Sequence, residues 1–469
     1  MTTAQPLMIA VEGGFKVACP ADLDCLSTFV FLEQEDWFED EARFIRRVAA
    51  PGVRMIDIGA NLGFYTLATA AAAGGDAYIV AIEPTPDVAA LLRLSVQANG
   101  FAGVRVLELA VGDRNMRVAL DRPMGSEHNS IGAEVGSGGV ALRRLDELVE
   151  ELDMRSCDIV KIDVEGAEAR VIDGASVFFE TADPLIMFEV RDRTGISFEA
   201  AERLKAMGYA IYELAPELEM LTPFSGHVDD MRLNLFACKP SRAALLESRG
   251  LLARTWDVGP TTGDGQAMPV SGRTPMVGPG GELHEMALGW FATSRSVSQR
   301  PSVRAGALRL AQAAALAALR ADSRIAHLCT YARISRALGA RAEATKAAKA
   351  VLEAILAGER SPDHGPMLAM LAEYETWSCP LGPDAWLEAM AIESVWRWGA
   401  YSDLFTSDYT LSPGRAAQLQ AVGRQSKELE RRRLLSLRRQ GRSLPSSLLP
   451  PSDRNSELWH HQLFSALSG

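Results

Sequence analysis

The spacing of hydrophobic residues changes about halfway along the chain. Up to residue 240, short β-branched runs alternate with stretches of helical periodicity. This alternation is typical of βαβ units, which build a parallel sheet. Beyond residue 282 the β-branched runs disappear and Ala, Leu, Arg and Glu dominate, a composition that favours helices. The pattern therefore predicts an α/β region followed by an all-α region.

For the first region we predict a doubly wound, seven-stranded and mostly parallel sheet of Rossmann-like type, with the last strand antiparallel. The predicted strands are Arg54–Ile58, Tyr78–Ile82, Val104–Leu109, Asp158–Ile162, Leu185–Val190, Tyr209–Leu214 and Arg232–Cys238. The predicted helices are Trp37–Val48, Phe64–Ala73, Asp87–Asn99 and Phe198–Met207.

A segment rich in Gly, Pro and small polar residues separates the two regions, and its centre, Gly259–Gly281, has no apolar period. Such a composition is typical of a linker. We therefore expect an α/β domain over 1–240, a linker over 241–282 and a helical domain over 283–469. In the helical domain, a hairpin of either tetratricopeptide or generic bundle type is expected, serving docking or oligomerisation.

Composition narrows the class of protein. A chain of 469 residues is too long to fold around one ordinary hydrophobic core, which indicates more than one domain. Its 48% apolar content is typical of a globular protein. The chain has no run of about 18 apolar residues, and no basic region precedes an apolar run in residues 1–18. We therefore expect neither a membrane span nor a secretory signal. Six scattered cysteines without a CxxC pair predict reduced thiols and a cytoplasmic location. The net charge of −12 argues against nucleic-acid binding.

The segment Met55–Gly63 carries the strongest chemical signal, because a strand runs through a glycine-bearing turn into a helix. Such a turn aims backbone N–H groups at a bound ligand, and Gly59 and Gly63 permit close backbone approach. Asn61 stands where a dinucleotide site needs its second glycine, which argues against a nicotinamide-dependent oxidoreductase. The turn instead suits S-adenosylmethionine (SAM), whose amine Asp57 can bind while the loop amides bind its carboxylate.

Acidic residues follow the next strands. Glu83, about twenty positions past the turn, is placed to accept both ribose hydroxyls. Asp113 is expected to border the adenine and bind its exocyclic amine. Asp163, Glu165 and Glu189 should meet at one rim, because ligands of open α/β sheets lie at the carboxyl ends of the strands. Three carboxylates at one rim need a cation, a proton or a ligand to compensate their charge.

Several motifs together point to one known family. They are DIGANLGFYT, IEP, AVGD, KIDVEGAEARVIDGA, the Asn129–Ile131 loop, VALRRLDELV and NLFA. Over roughly residues 32–239 the chain resembles the FkbM family of methyltransferases, for which the order KIDVEGAE is specific. The resemblance implies SAM as cofactor and O-methylation of a hydroxyl on a sugar or natural product. It implies cofactor binding by Asp57, Gly59, Asn61, Gly63, Glu83 and Asp113, and active-site roles for Asp163, Glu165 and Glu189.

The expected reaction is an in-line displacement, which depends on alignment and on a base for the acceptor proton. We hypothesise that Asp163 is this base and that Glu189 or Glu165 positions a small-molecule or glycan acceptor, with His128 and His227 as reserve bases. No metal ligand is assigned, although the carboxylates could instead hold a divalent ion. A different class of function stays open, namely a non-catalytic SAM-binding scaffold. The helical domain is expected to serve dimerisation or acceptor docking in the enzyme, and to bind a protein partner in the scaffold.

Overall fold

The computed structural model describes residues 5–121, 130–134, 139–192, 195–257, 280–359, 366–405, 412–440, 442, 454, 455, 457 and 458. Its strands are β1 (Leu7–Val11), β2 (Phe15–Cys19), β3 (Val53–Ile58), β4 (Ala77–Ile82), β5 (Val104–Leu107), β6 (Ala110–Val111), β7 (Met116–Asp121), β8 (Ser130–Glu134), β9 (Val140–Arg143), β10 (Ile159–Ile162), β11 (Leu185–Glu189), β12 (Arg191–Asp192), β13 (Gly195–Ile196), β14 (Ala210–Ala215), β15 (Met220–Pro223) and β16 (Asn234–Cys238).

The helices of the first half are α1 (Leu26–Gln34), α2 (Glu41–Val48), α3 (Phe64–Ala72), α4 (Pro86–Asn99), α5 (Leu145–Glu151), α6 (Glu168–Asp173), α7 (Ser176–Thr181), α8 (Glu199–Ala206) and α9 (Pro240–Ser248). Those of the second half are α10 (Gly281–Arg295), α11 (Pro301–Ala321), α12 (Ile325–Ala337), α13 (Arg341–Leu356), α14 (Pro383–Gly399), α15 (Ser412–Ala421) and α16 (Lys427–Arg439), with short 3₁₀ turns at Ala372–Glu375 and Asp403–Phe405.

The α/β region is built on an eight-stranded sheet in the order β15-β14-β16-β11-β10-β3-β4-β5. The strands from β11 to β5 pair in parallel, as expected for a doubly wound sheet. Successive side chains of a strand point to opposite faces. Accordingly, Met55 and Ile79 lie in one hydrophobic core, while their chain neighbours Ile56 and Val80 lie in the other. Both faces are covered, which explains why these strands are nearly continuous apolar runs.

The expected count of seven strands was one too low. The last predicted strand is β16, and it runs antiparallel to β11 and β14, as predicted. The additional strand is β15, which pairs antiparallel with β14 at the sheet edge. Its four residues end in proline, so the local pattern gives little indication of a strand. The hairpin of β1 and β2 was not predicted either, although Gly13 and Gly14 supply its turn with positive φ angles.

The helical region shares hydrophobic cores with the α/β region. Leu434 and Leu435 of α16 are fully buried in the core that contains β1 and α1. Conversely, Ala215 and Met220, at the turn between β14 and β15, lie in the core of the helices. The segment expected as a linker begins with helix α9, and residues 258–279 of it lie outside the described residues. In the described part of the chain, no helix combines the length and apolar character needed to span a bilayer.

Candidate active site

A cleft of about 220 Å³ lies at the carboxyl ends of β3, β4, β10 and β11. Six of the residues singled out from the sequence line it, namely Gly59, Asn61, Glu83, Asp163, Glu165 and Glu189. Asp57, Gly63 and Asp113 are not among the described lining residues. The sheet therefore brings together most of the predicted positions, and it does so because parallel strands end at one edge.

The two glycines of the turn are required by the protein's own packing. Gly59 has a φ of +76°, and a Cβ atom there would lie 1.8 Å from the carbonyl oxygen of Asp163. Gly63 has a φ of +85°, and its Cβ would lie 2.0 Å from a methyl carbon of Leu92. Asn61 also adopts the left-handed region, which Asn tolerates better than most residues. The glycines thus let the β10 loop and α4 approach the turn closely.

Asp57 is fully buried behind the turn. Its Oδ2 accepts a hydrogen bond of 2.6 Å from the Thr66 hydroxyl, and its Oδ1 lies 3.7 Å from the Lys161 ammonium. Burial raises the pKa of the Asp57 carboxyl, and the charge of Lys161 opposes that shift. The carboxylate therefore faces α3 and Lys161, and its Oδ1 accepts no hydrogen bond from the described residues. Contact of Asp57 with the SAM amine stays a prediction.

Glu83 is oriented by two backbone donors. Its Oε2 accepts from the amide of Asn61 at 3.0 Å, and its Oε1 accepts from the amide of Thr85 at 2.8 Å. Burial raises the pKa of Glu83, and these hydrogen bonds lower it. The Thr85 side chain donates a further hydrogen bond to this carboxylate. Because a carboxylate has about four acceptor positions, it keeps capacity for another donor. The side chain lines the cleft and can accept a hydrogen bond from a ligand hydroxyl.

Asp113 lies away from the cleft lining, although Leu109, Ala110 and Val111 just before it are lining residues. Its carboxylate forms an ion pair of 2.9 Å with Arg114. Hydrogen bonding from Arg114 lowers the pKa of Asp113. Asp113 follows β6, whose residues Ala110 and Val111 line the cleft, while its own carboxylate pairs with Arg114.

Lys161 compensates part of the negative charge at the rim. Its ammonium lies 3.0 Å from Oδ2 of Asp163 and 3.3 Å from the carbonyl oxygen of Gly59. Burial lowers the pKa of Lys161, but attraction to Asp163 and Asp57 outweighs burial, so the net pKa lies above its usual value. Lys161 belongs to the KIDVEGAE motif, yet sequence reasoning assigned it no role. A lysine inside an otherwise apolar strand was the available signal.

The loop after β10 is held by Glu168, the last acid of that motif. Its Oε1 accepts hydrogen bonds from the amides of Val164 at 3.0 Å and Gly166 at 3.2 Å. Between these two, Glu165 has a φ of +55° and lines the cleft. Glu168 therefore acts as a positioning residue for Glu165, a role that sequence reasoning did not identify.

The surroundings of Glu189 favour its protonated form. Burial, followed by the negative charges of Asp163 and Glu165, raises the pKa of Glu189 to about 11. Its Oε2 is buried and has no hydrogen-bond partner among the described residues. A neutral carboxylic acid can donate a hydrogen bond into the cleft. The rim is thus compensated by a cation, Lys161, and by a proton on Glu189.

A fourth acid at the rim, Glu39, was missed from the sequence. It lies in the loop between α1 and α2, lines the cleft, and accepts a hydrogen bond from the Tyr65 hydroxyl. Burial raises the pKa of Glu39 to about 7, with the Tyr65 hydrogen bond opposing the shift and the charge of Asp163 adding to it. A base with a pKa near the working pH is well suited to proton abstraction. No motif surrounds Glu39, so only the fold could identify it.

Two further expectations concern the histidines proposed as reserve bases and a metal ion held by the carboxylates. His128 lies outside the described residues, and His227 is exposed and not among the described lining residues. Among the residues that the structure describes, no group of three or more His, Cys, Asp or Glu side chains is arranged to hold a metal ion.

Residues 57–212 match the family model described as "Methyltransferase FkbM domain". The matched span includes the turn after β3, Glu83 and the acidic rim at Asp163, Glu165 and Glu189. Glu39 and the helical region lie outside it. No curated protein matches the chain.

Several solved structures are similar to this chain. One is a methyltransferase FkbM from Methylobacillus flagellatus, at 16% identity over 40% of this chain and 44% of that chain, with a TM-score of 0.29. Another is a SAM-dependent O-methyltransferase from Thermotoga maritima, at 17% identity over 50% and 77%, with a TM-score of 0.27. A third is fibrillarin from Aeropyrum pernix with natively bound SAM, at 14% identity over 40% and 67%, with a TM-score of 0.25. The alignment thus spans less than half of the first of these structures.

Proposed function

Since residues 57–212 form a Methyltransferase FkbM domain, we propose that the protein transfers a methyl group from SAM to a hydroxyl group of a sugar, glycan or natural product. The observation that carries the proposal is the bonding of Glu83 to the turn. Its carboxylate accepts from the amides of Asn61 and Thr85, and the side chain still lines the cleft, which suits it to accept a hydrogen bond from a ribose hydroxyl.

A second polar atom supports the fit of SAM to this cleft. The side-chain Oδ1 of Asn61 is buried and has no hydrogen-bond partner among the described residues. Such an orphaned acceptor is costly unless a ligand donates to it, and SAM carries an ammonium group and hydroxyls that can. SAM supplies a methyl group activated by a sulfonium. In the proposal, Glu83 and Asn61 hold the cofactor, while Asp57, Gly59 and Gly63 shape the turn. Asp113 can bind the exocyclic amine of adenine, as proposed from the sequence, only if its ion pair with Arg114 breaks.

The acidic rim handles the acceptor. The acceptor oxygen forms the new bond to the methyl carbon, the electrons of the broken carbon–sulfur bond stay on sulfur, and the hydroxyl proton passes to a carboxylate. We assign that proton to Glu39, whose pKa of about 7 suits a base. This assignment revises the sequence-based choice of Asp163, which pairs with Lys161 and instead binds and orients the hydroxyl. Glu189, as a neutral acid, donates a hydrogen bond to the acceptor, and Glu165 borders it.

The test is calorimetry with SAM and with S-adenosylhomocysteine on the full-length protein and on Glu83→Gln. We expect the wild type to bind both and the variant to bind at least about tenfold more weakly, a change of roughly 1.4 kcal/mol. The matched control is Glu108→Gln, an acid near the end of β5 that pairs with Arg93 at the surface and does not line the cleft. Equal melting temperatures of the variants show that folding is intact.

Absence of binding by the wild type, or equal binding by Glu83→Gln, would contradict the proposal. Transfer of a tritiated methyl group from SAM into acceptors in a cell extract separates the enzyme from a SAM-binding scaffold, because a scaffold binds SAM and transfers nothing.

A further inference from the structure

Three aromatic side chains line one part of the cleft, namely Trp37, Phe38 and Phe405, and we call them the aromatic wall. The ring centroids of Trp37 and Phe38 are 4.6 Å apart, and those of Phe38 and Phe405 are 6.0 Å apart in an edge-on arrangement. Trp37 and Phe38 belong to the same loop as Glu39. Phe405 comes from the helical region, between α14 and α15. The cleft is therefore completed by a residue far outside the methyltransferase domain.

The 3₁₀ turn that carries Phe405 is firmly anchored. Asp403, two residues earlier, is buried, and its Oδ1 accepts from the Trp396 indole at 2.8 Å and from Arg432 at 3.1 Å. Its backbone amide donates to Oε1 of Glu33 in α1 at 2.9 Å. Buried and charge-assisted hydrogen bonds of this kind fix a backbone segment in place. Phe405 is thus presented to the cleft by contacts with both regions.

Phe405 nevertheless keeps 49% of its surface exposed, while Phe38 and Trp37 are only partly buried. A ligand that covers exposed aromatic surface on the wall of a cleft gains binding free energy, because apolar area is removed from water. Rings bind best to flat apolar faces that meet them stacked or edge-on. A ring-shaped acceptor can supply such a face, whereas a fully solvated acyclic polyol cannot.

The charges at the same end of the cleft restrict the acceptor further. Glu39, Asp163 and Glu165 line it, and none of the described lining residues is Lys or Arg. The nearby ammonium of Lys161 already bonds Asp163. An anionic group on the acceptor, such as a phosphate or a carboxylate, would meet like charge at low effective dielectric and be repelled. An uncharged acceptor avoids that cost.

We propose that the helical region completes the acceptor site through Phe405, and that the acceptor is an uncharged, hydroxyl-bearing ring whose apolar face covers the aromatic wall. The inference rests on the proposed function and deepens it by naming a class of substrate. It gives the helical region a direct part in substrate recognition, besides any docking or oligomerisation.

The test uses the full-length protein saturated with S-adenosylhomocysteine and two matched probes, phenyl β-D-glucoside and its 6-phosphate. Binding is measured by ligand-observed NMR titration on the wild type, Phe405→Ala and Phe405→Leu. The control is Phe198→Ala, which removes another partly exposed ring that packs on Phe224 away from the cleft lining. Affinity for S-adenosylhomocysteine and the melting temperature are measured for each variant.

We expect the neutral glucoside to bind the wild type at least about tenfold more tightly than the phosphate. Phe405→Ala should weaken the glucoside about five- to tenfold, Phe405→Leu should weaken it less, and Phe198→Ala should leave it unchanged. All variants should retain affinity for S-adenosylhomocysteine.

Three results would overturn the inference: no binding of the glucoside, equal or tighter binding of the phosphate, or an unchanged affinity in Phe405→Ala. If S-adenosylhomocysteine itself fails to bind the wild type, the proposed function fails instead, so the two failures are distinguishable. If Phe405→Ala has a lowered melting temperature, the conclusion is drawn from Phe405→Leu, which keeps apolar bulk in the turn. In that case an unchanged affinity of Phe405→Leu for the glucoside also contradicts the inference.

Discussion

The ammonium of Lys161 lies 3.0 Å from the carboxylate of Asp163, two positions further along the same strand and loop. The same ammonium lies 3.7 Å from Asp57, behind the glycine turn. Lys161 therefore connects the cofactor end of the cleft to its acidic rim. A buried cation between two carboxylates attracts and orients both of them, so its removal should affect folding and the site together.

We predict that Lys161→Met lowers the free energy of unfolding by about 3 kcal/mol, because it leaves buried Asp57 without its counter-ion. Urea denaturation at neutral pH measures the change. The matched control is Lys205→Met, which removes an exposed lysine that pairs with Glu202 at 2.8 Å. That surface pair should contribute no more than about 1 kcal/mol. Equal losses in the two variants would show that Lys161 has no special role.

Gly59 provides a second test of the turn. We expect Gly59→Ala to lower the free energy of unfolding by more than about 3 kcal/mol, because the new Cβ would meet the Asp163 carbonyl at 1.8 Å. Gly52→Ala is the control, since Gly52 also has a positive φ, of +81°, but nothing lies within 4 Å of its Cβ position. Left-handed backbone alone should cost about 1–2 kcal/mol. Thermal melts of both variants measure the two losses of stability. The difference between them is the cost of the contact with Asp163, because both variants share the cost of left-handed backbone.

The pH dependence of methyl transfer should report Glu39. With Glu39 as base, turnover requires its ionised form, so the rate should rise with pH through about 7. Glu39→Gln should lose roughly 10²-fold or more in turnover while keeping its affinity for SAM. Tyr65→Phe removes a hydrogen bond that lowers the pKa of Glu39, so the rising limb should move to higher pH. If the pH–rate profile of Glu39→Gln still rises through about pH 7, the base is another group.

Glu189 should make the protein less stable as pH rises. Its pKa is raised from the usual 4.5 to about 11, so between these values the folded state holds a proton that the unfolded state has released. Stability is then lost as pH increases, with a limiting slope of about 1.4 kcal/mol per pH unit for one proton. Glu189→Gln removes this proton uptake, and its unfolding free energy, measured by urea denaturation from pH 6 to 9, should fall less steeply than that of the wild type. Parallel curves would show that Glu189 is ionised in the folded protein.

Local patterns predicted much of the α/β fold. The buried strands β3, β4, β10 and β11 were predicted to within one residue at each end, because strands covered on both faces are continuous apolar runs. The antiparallel direction of β16 also agreed with the expectation. The short edge strand β15 was missed, since its pairing with β14 depends on a hairpin that carries little sequence signal. The placement of Asp57 and Asp113 outside the cleft lining was likewise not evident, because a residue's position in a motif does not determine which way its side chain points.

The amino-acid sequence by itself determined the glycine turn, the acid after β4 and the acids after β10 and β11, since strand ends and turn residues are encoded within a few neighbouring positions. Only the tertiary structure decided that Lys161 pairs with the acidic rim and that burial and neighbouring charge raise the pKa of Glu189. It also decided that Glu39 and Phe405 line the same cleft. Charge compensation and proton affinity depend on burial and on distance in space. Glu39 and Phe405 are separated by hundreds of residues, and contacts between such distant positions leave no periodic pattern along the chain.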